Sequence, residues 1–175
     1  AYVVHTHPAL VNGLTCSAGG KTRMEELYGS DAMWVPFVEP GYILARTVRR
    51  MRSAYIASVG KPPKAIFLEN HGVFISAPTI EEIDSRYDWV FGVLRKLTND
   101  EDDFATEPVD PSFREPTELA IRDAFDEEVT IASITSDTIR RVTADKAQAA
   151  PFLSAYTPDH IVYAGHRPVY IEQST

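Results

Sequence analysis

Three histidines carry the first chemical signal in this chain. His5 and His7 stand one residue apart in AYVVHTHPAL, at the end of an apolar run, and His71 interrupts the apolar stretch KAIFLENHGVFIS. Successive side chains of an extended strand point to opposite faces, so His5 and His7 look the same way and Thr6 looks the other. Pro8 then ends the pairing. Two imidazoles from one strand end and a third from another strand can supply three nitrogen ligands to one divalent cation. Zinc suits the set, because three protein ligands at about 2.0–2.1 Å leave a fourth position open, the arrangement of a catalytic site. Iron, nickel, cobalt and manganese also accept imidazole, so the residues name the ligands better than the ion. Taken alone, H-x-H also fits two hydrogen-bonded strand-end histidines, and His71 a turn histidine. The E-N-H-G context of His71 weighs the other way, because Asn70 can bond its local backbone and Gly72 permits a sharp turn or a close backbone approach.

The elements that must hold these residues follow from periodicity. Tyr2, Val3 and Val4 read as the start of a buried strand. GLTCSAGG (13–20) is small and glycine-rich, KTRMEELYG (21–29) reads as a short helix ending at Gly29, and AMWVPFV (32–38) as a strand. A helix follows Pro40 and Gly41, with Leu44, Val48, Met51 and Tyr55 on one stripe and Arg46, Arg49, Arg50 and Arg52 mostly on a solvated surface. Residues 64–76 read as one central strand interrupted by polar residues, in which Glu69 shares the face of His71 if the strand stays regular. Thr79 to Glu82 fits a capping box, and Ile80, Ile83, Tyr87, Val90, Phe91, Leu94 and Leu97 form a helical stripe to cover the sheet. NDEDD (99–103) ends that helix as a solvated acidic loop. Further on, 116–125 looks helical, 129–134 like a strand, 136–150 like one helix capped by Ser136 or Asp137, and 160–171 like two short strands around a turn. Trp34, Trp89 and Phe91 read as core, Cys16 as a small packed residue, and His160 and His166 as surface histidines.

Composition bounds what such a site can serve. The 175 residues, 44% of them hydrophobic, suffice for a single domain with a substantial core. With 17 Lys and Arg against 25 Asp and Glu, the formal charge of −8 disfavours nucleic acid and anionic membrane surfaces as partners. No apolar run approaches the ~18 residues of a membrane span, and no signal-peptide pattern is visible. The lone Cys16 excludes an internal disulfide and fits a reducing, cytoplasmic setting. The chain begins in the middle of a strand without an initiator Met, which leads to the expectation of a longer polypeptide whose earlier part precedes Ala1.

VVHTHP (3–8) and LENHGVF (68–74), with His7 and His71 separated by 64 positions, together resemble the class II aldolase/adducin family. That family includes fuculose-phosphate and rhamnulose-phosphate aldolases and ribulose-phosphate 4-epimerase. WVPFVEPG (34–41) is similar to the family segment leading into the next helix, and TPDHIVYAGHRPVYI (157–171) to the end of its longer members, some of which continue into a short-chain dehydrogenase. This chain contains no G-x-G-x-x-G fingerprint. The resemblance implies metal ligation by His5, His7 and His71, with Zn2+ or another divalent transition metal as cofactor. It implies a three-layer α/β/α fold with a largely antiparallel central sheet, spanning 1–175 as a single domain that lacks its N-terminal portion. It also implies a homo-oligomer, a ring-shaped tetramer as in relatives, in which Tyr28 or Tyr42 reaches a neighbouring subunit's site. The activity implied is a lyase cleaving a sugar phosphate or related small hydroxy-carbonyl compound through a metal-stabilised enediolate. Epimerisation, decarboxylation or dehydration on the same fold, and a non-catalytic adducin-like assembly module, stand as alternatives. The family's catalytic glutamate and phosphate-cradling loops lie upstream of H-x-H, so no catalytic residue is assigned within this chain.

Overall fold

Alternation along four short strands builds the sheet that carries the histidines. In the computed structural model, which describes residues 1–98 and 106–171, these strands are β1 (Tyr2–Thr6), β2 (Ala32–Val35), β3 (Ala65–Leu68) and β4 (Gly72–Ala77). They lie in the order β1-β4-β3-β2. β4 pairs antiparallel with both β1 and β3, whereas β2 runs parallel to β3. The parallel pair needs a crossover, and the helix Tyr42–Val59 provides it.

Helices cover both faces. On one side α1 (Ala9–Thr15), α2 (Gly20–Tyr28) and α4 (Ile80–Arg95) bury Val11, Leu14, Met24, Ile83, Val90 and Leu94 against Trp34, Phe67, Val73 and Ile75. On the other, α3 (Tyr42–Val59) packs Leu44, Val48, Met51 and Tyr55 against Met33, Val35, Ile66 and Leu68. This is a three-layer α/β/α arrangement with a mostly antiparallel sheet. Each fully buried large apolar side chain, such as Phe67, stabilises it by roughly 1.5–3 kcal/mol. Caps fix the helix ends: the Thr79 hydroxyl accepts the Glu82 N–H at 3.2 Å, and α3 ends at Gly60 with φ +81°.

The structure changes several local expectations. Residues 64–76 are a β-hairpin and not one interrupted strand, because the chain reverses at Glu69–His71. Ala9–Thr15 is helical despite Gly13, and Pro36 stops β2 at Val35. β1 is an edge strand with Tyr2 and Val3 exposed, not a buried one. The apolar stripe of α4 holds through its middle, while Ile80 at its start and Leu97, two residues past its end, are exposed. NDEDD (99–103) lies outside the described residues.

The chain forms two compact units, one of Ala1–Asp100 with Ser154–Pro168 and the other of Glu101–Leu153 with Val169–Thr175. The second unit contains β5 (Glu107–Pro108) paired with β6 (Ile134–Thr135), α5 (Pro111–Asp123), α6 (Asp137–Val142) and α7 (Lys146–Ala149). The helix expected over 136–150 is thus two, because Asp145 starts a new one by accepting the Gln148 N–H at 2.9 Å. Of the strand expected over 129–134, only Ile134 is in β6, which continues to Thr135. The two strands expected over 160–171 are absent from the described residues, and His160–Ala164 is a single wide helical turn. The short apolar runs there join no strand among the described residues, and Ile161, Val162, Tyr163, Val169 and Ile171 stay exposed.

Candidate metal centre

β1 and the hairpin turn bring the three histidine rings together. His5 leaves β1 on its α3-facing side, His7 follows one residue past the strand's end, and Thr6 points the other way and shares a 2.6 Å hydrogen bond with the Tyr87 hydroxyl. His71 closes the hairpin between β3 and β4. Asn70, at φ +54°, makes that turn possible, since asparagine tolerates the left-handed region better than most residues. Its N–H donates to Thr15 O at 2.9 Å, the Glu69 N–H to Val35 O at 3.0 Å, and the His71 N–H to Leu68 O at 3.1 Å. The turn is therefore tied to α1, β2 and β3 by backbone bonds.

Gly72 is required by close approach. A Cβ there would lie 2.5 Å from Thr6 O and 2.6 Å from His7 Cδ2, so any other residue would push β1 or the His7 ring aside. The ring centroids of His5, His7 and His71 form a triangle with sides of 4.8, 4.8 and 5.0 Å. His5 Nε2 stands 3.0 Å from His7 Nε2 and 3.2 Å from His71 Nε2. Ligands at about 2.0–2.1 Å around a tetrahedral cation stand about 3.3 Å apart, close to this spacing.

The other ring nitrogens decide what the cluster can hold. His5 Nδ1 donates to Val73 O at 3.0 Å, and His7 Nδ1 donates to both carboxylate oxygens of Asp159 at 3.1 Å. A neutral imidazole that donates from Nδ1 carries a lone pair on Nε2. His5 and His7 consequently face each other with two lone pairs, and a proton on His71 can relieve only its own contact with His5. A shared metal cation removes the repulsion, as would a second proton on His7 beside the Asp159 carboxylate. A proton on His5 is a poor substitute, because burial, outweighing the Val73 bond, and the neighbouring His7 push its pKa below the usual imidazole value. Burial first, and then the charges of His5 and His7, lower His71 likewise. The donor set fits a divalent metal held by three neutral imidazoles.

Asp159, which no motif of the sequence singles out, joins the cluster through His7. It sits in T-P-D-H, 152 positions after His7, and no local period ties it to the site. Glu69 is placed differently from expectation: the strand does not stay regular, and its Oε2 accepts the Phe37 N–H at 2.9 Å. Tyr28 is buried and donates to Val90 O at 2.8 Å, which rules it out as a reach into a neighbour's site, whereas Tyr42 is exposed. A cavity of about 710 Å³ runs from His5 and Phe74 along α3 past Leu44, Val48, Arg49 and Arg52. The His5 ring stacks on Phe74, with centroids 4.2 Å apart, at its edge. Arg49 and Arg52 thus line a concave surface, although the helical period alone gave them only a solvated one.

The chain is similar to known proteins. A Bacillus subtilis (strain 168) protein, the uncharacterized oxidoreductase YuxG, is 25% identical over 187 aligned positions that cover 98% of this chain. The chain spans only 26% of that relative's length. Among solved structures, the N-terminal class II aldolase domain of a conserved Thermoplasma acidophilum protein aligns with a TM-score of 0.44 and 19% identity, over 54% of this chain and 41% of that one. An aldolase II superfamily protein from Pseudomonas syringae aligns with a TM-score of 0.39 and 13% identity, over 86% of this chain and 52% of that one. Residues 1–88, which include all three clustered histidines, match the Class II Aldolase and Adducin N-terminal domain. This chain is a member of the class II aldolase/adducin family.

Proposed function

We propose that His5, His7 and His71 hold a divalent transition metal, zinc in the first instance, and that the protein is a class II aldolase-type lyase acting on a sugar phosphate or similar small hydroxy-carbonyl compound. The observation that carries this reading is the convergence of the three rings, with His5 Nε2 3.0 Å from His7 Nε2 and 3.2 Å from His71 Nε2 while Val73 O and Asp159 meet the Nδ1 atoms of His5 and His7. Three neutral ligands leave the ion its full charge, so the chemistry it supplies is polarisation of a substrate carbonyl or hydroxyl oxygen. The chain's own contribution is positional. The hairpin turn sets His71 at fixed register, Val73 O and Asp159 orient the other two rings, and the cavity beside His5 has the volume usual for a small-molecule site. No general base is assigned here, because Glu69 is occupied by the Phe37 N–H and Asp159 by His7.

Three convergent imidazoles have no use in a pure scaffold, which supports an enzyme over an adducin-like assembly module. A homotetramer, and a cytoplasmic setting, belong to the same reading. No helix of the described residues is long and apolar enough to cross a membrane. The test is to load the protein with zinc and supply a panel of ketose 1-phosphates, following release of a hydroxyketone phosphate and an aldehyde. Cleavage that disappears on chelation and returns with metal supports the lyase. A fully metallated protein that cleaves none of them, but epimerises, decarboxylates or dehydrates a hydroxy-carbonyl compound, replaces it with one of those activities.

A further inference from the structure

We propose that Asp159 is the positioning residue of this centre: by accepting the Nδ1–H of His7 it fixes that ring's tautomer and aims its Nε2 into the cluster. The inference rests on the reading of the three histidines as metal ligands.

Several observations set this contact apart from an incidental surface pair. Both carboxylate oxygens lie 3.1 Å from the same ring nitrogen, so the carboxylate is centred on the N–H. The partners are 152 positions apart, so the contact persists only if the chain returns to the sheet and orders a turn there. That turn is closed by its own hydrogen bonds. His160 Nδ1 accepts the N–H groups of Tyr156 and Thr157 at 3.2 and 3.1 Å, and the His160 N–H donates to Thr157 O at 3.1 Å. The bonds wrap the backbone around Pro158 and Asp159, leaving the carboxylate to project from a closed loop. A second strut joins the Ala155 N–H to His166 O at 2.9 Å.

Electrostatics point the same way. A carboxylate on the far side of an imidazole raises the basicity of the ligating nitrogen and holds the ring against rotation. His5 obtains orientation from a neutral carbonyl at Val73, and His7, beyond the last paired residue of β1, has no such strand partner. Asp159 supplies what the end of the strand does not.

The test compares wild type with Asp159→Ala and Asp159→Asn by two readouts. Zinc affinity is measured by competition titration with a chelator, and the His7 tautomer by ring 15N NMR of the metal-free protein at a pH where the imidazoles are neutral. Asp159→Ala should weaken zinc about 10- to 100-fold, the usual effect of losing such an outer partner. His7 should pass from a single Nδ1–H form to a mixture of tautomers. Asp159→Asn, whose amide oxygen still accepts the N–H, should keep the tautomer and lose less affinity; it also serves if the alanine variant folds poorly. Wild-type zinc affinity in Asp159→Ala, or an unchanged His7 tautomer, would overturn the inference. If wild type binds no zinc, the metal reading fails by itself, and the tautomer comparison alone then upholds or rejects the hold of Asp159 on His7.

Discussion

β1 and the Glu69–His71 turn carry their histidines on backbone hydrogen bonds at fixed register, whereas the Tyr156–His160 segment meets the same cluster through the Asp159 carboxylate. The first region is continuous with a sheet whose central strands are wholly (β3) or mostly (β4) buried, and the second is a partly exposed turn closed by its own short bonds. The difference separates two tasks. The sheet decides where the nitrogens are, and the turn decides which nitrogen of His7 carries the proton.

Changes in the first region should therefore be the more damaging. Removing one of three ligands, as in His71→Ala or His5→Ala, should weaken zinc by roughly a hundredfold or more, judged from the share each ligand has in a bound site. Chelator competition checks it. Gly72→Ala should come next. Its Cβ would meet Thr6 O and the His7 ring, so it should lower stability by about 1–3 kcal/mol, the usual range for overpacking, and weaken zinc as His7 is displaced. Gly13→Ala, with nothing within 4 Å and a position inside α1, is the control and should raise stability by about 0.5–1 kcal/mol. Urea unfolding of both variants measures the contrast.

A third expectation concerns acid. His5 and His71 have folded pKa values below that of a free imidazole, so between the two values the unfolded chain binds more protons than the native one. Stability of the metal-free protein should then be fully present above about pH 6.5 and fall as pH drops below it. Melting curves from pH 7.5 to 5 should show the decline, and a His5→Gln, His71→Gln pair should flatten it. The smallest effect on the metal centre is expected from the second unit, where Ser136→Ala removes the hydroxyl that accepts the Ile139 N–H at 3.2 Å. It should cost about 1 kcal/mol in that unit and leave zinc affinity unchanged.

The same division explains what could be read from sequence. The shared face of His5 and His7 follows from the two-residue period of a strand, and the sheet-facing stripe of α3 from the helical period, because both depend on residues close in the chain. The hairpin was harder. An apolar run on either side of E-N-H-G looks the same for an interrupted strand and for two paired ones, and only the left-handed Asn70 and the tight Gly72 distinguish them. Glu69 changed role for that reason. Asp159 was illegible because its partner is 152 positions away, and an aspartate after a proline reads first as a turn residue. The tail carries two short apolar runs that read as strands, yet whether such a run pairs depends on what lies beside it in space, which a single sequence does not record.

The claim on which the rest depends is that three imidazoles share one cation. X-ray absorption of the zinc-loaded protein, with the metal content of the same sample, tests it most directly. The account predicts one zinc per chain with three imidazole nitrogens at about 2.0–2.1 Å, and loss of one imidazole from that shell in His71→Ala. Zinc bound well below one per chain, or a coordination shell of oxygens that His71→Ala leaves unchanged, would contradict it.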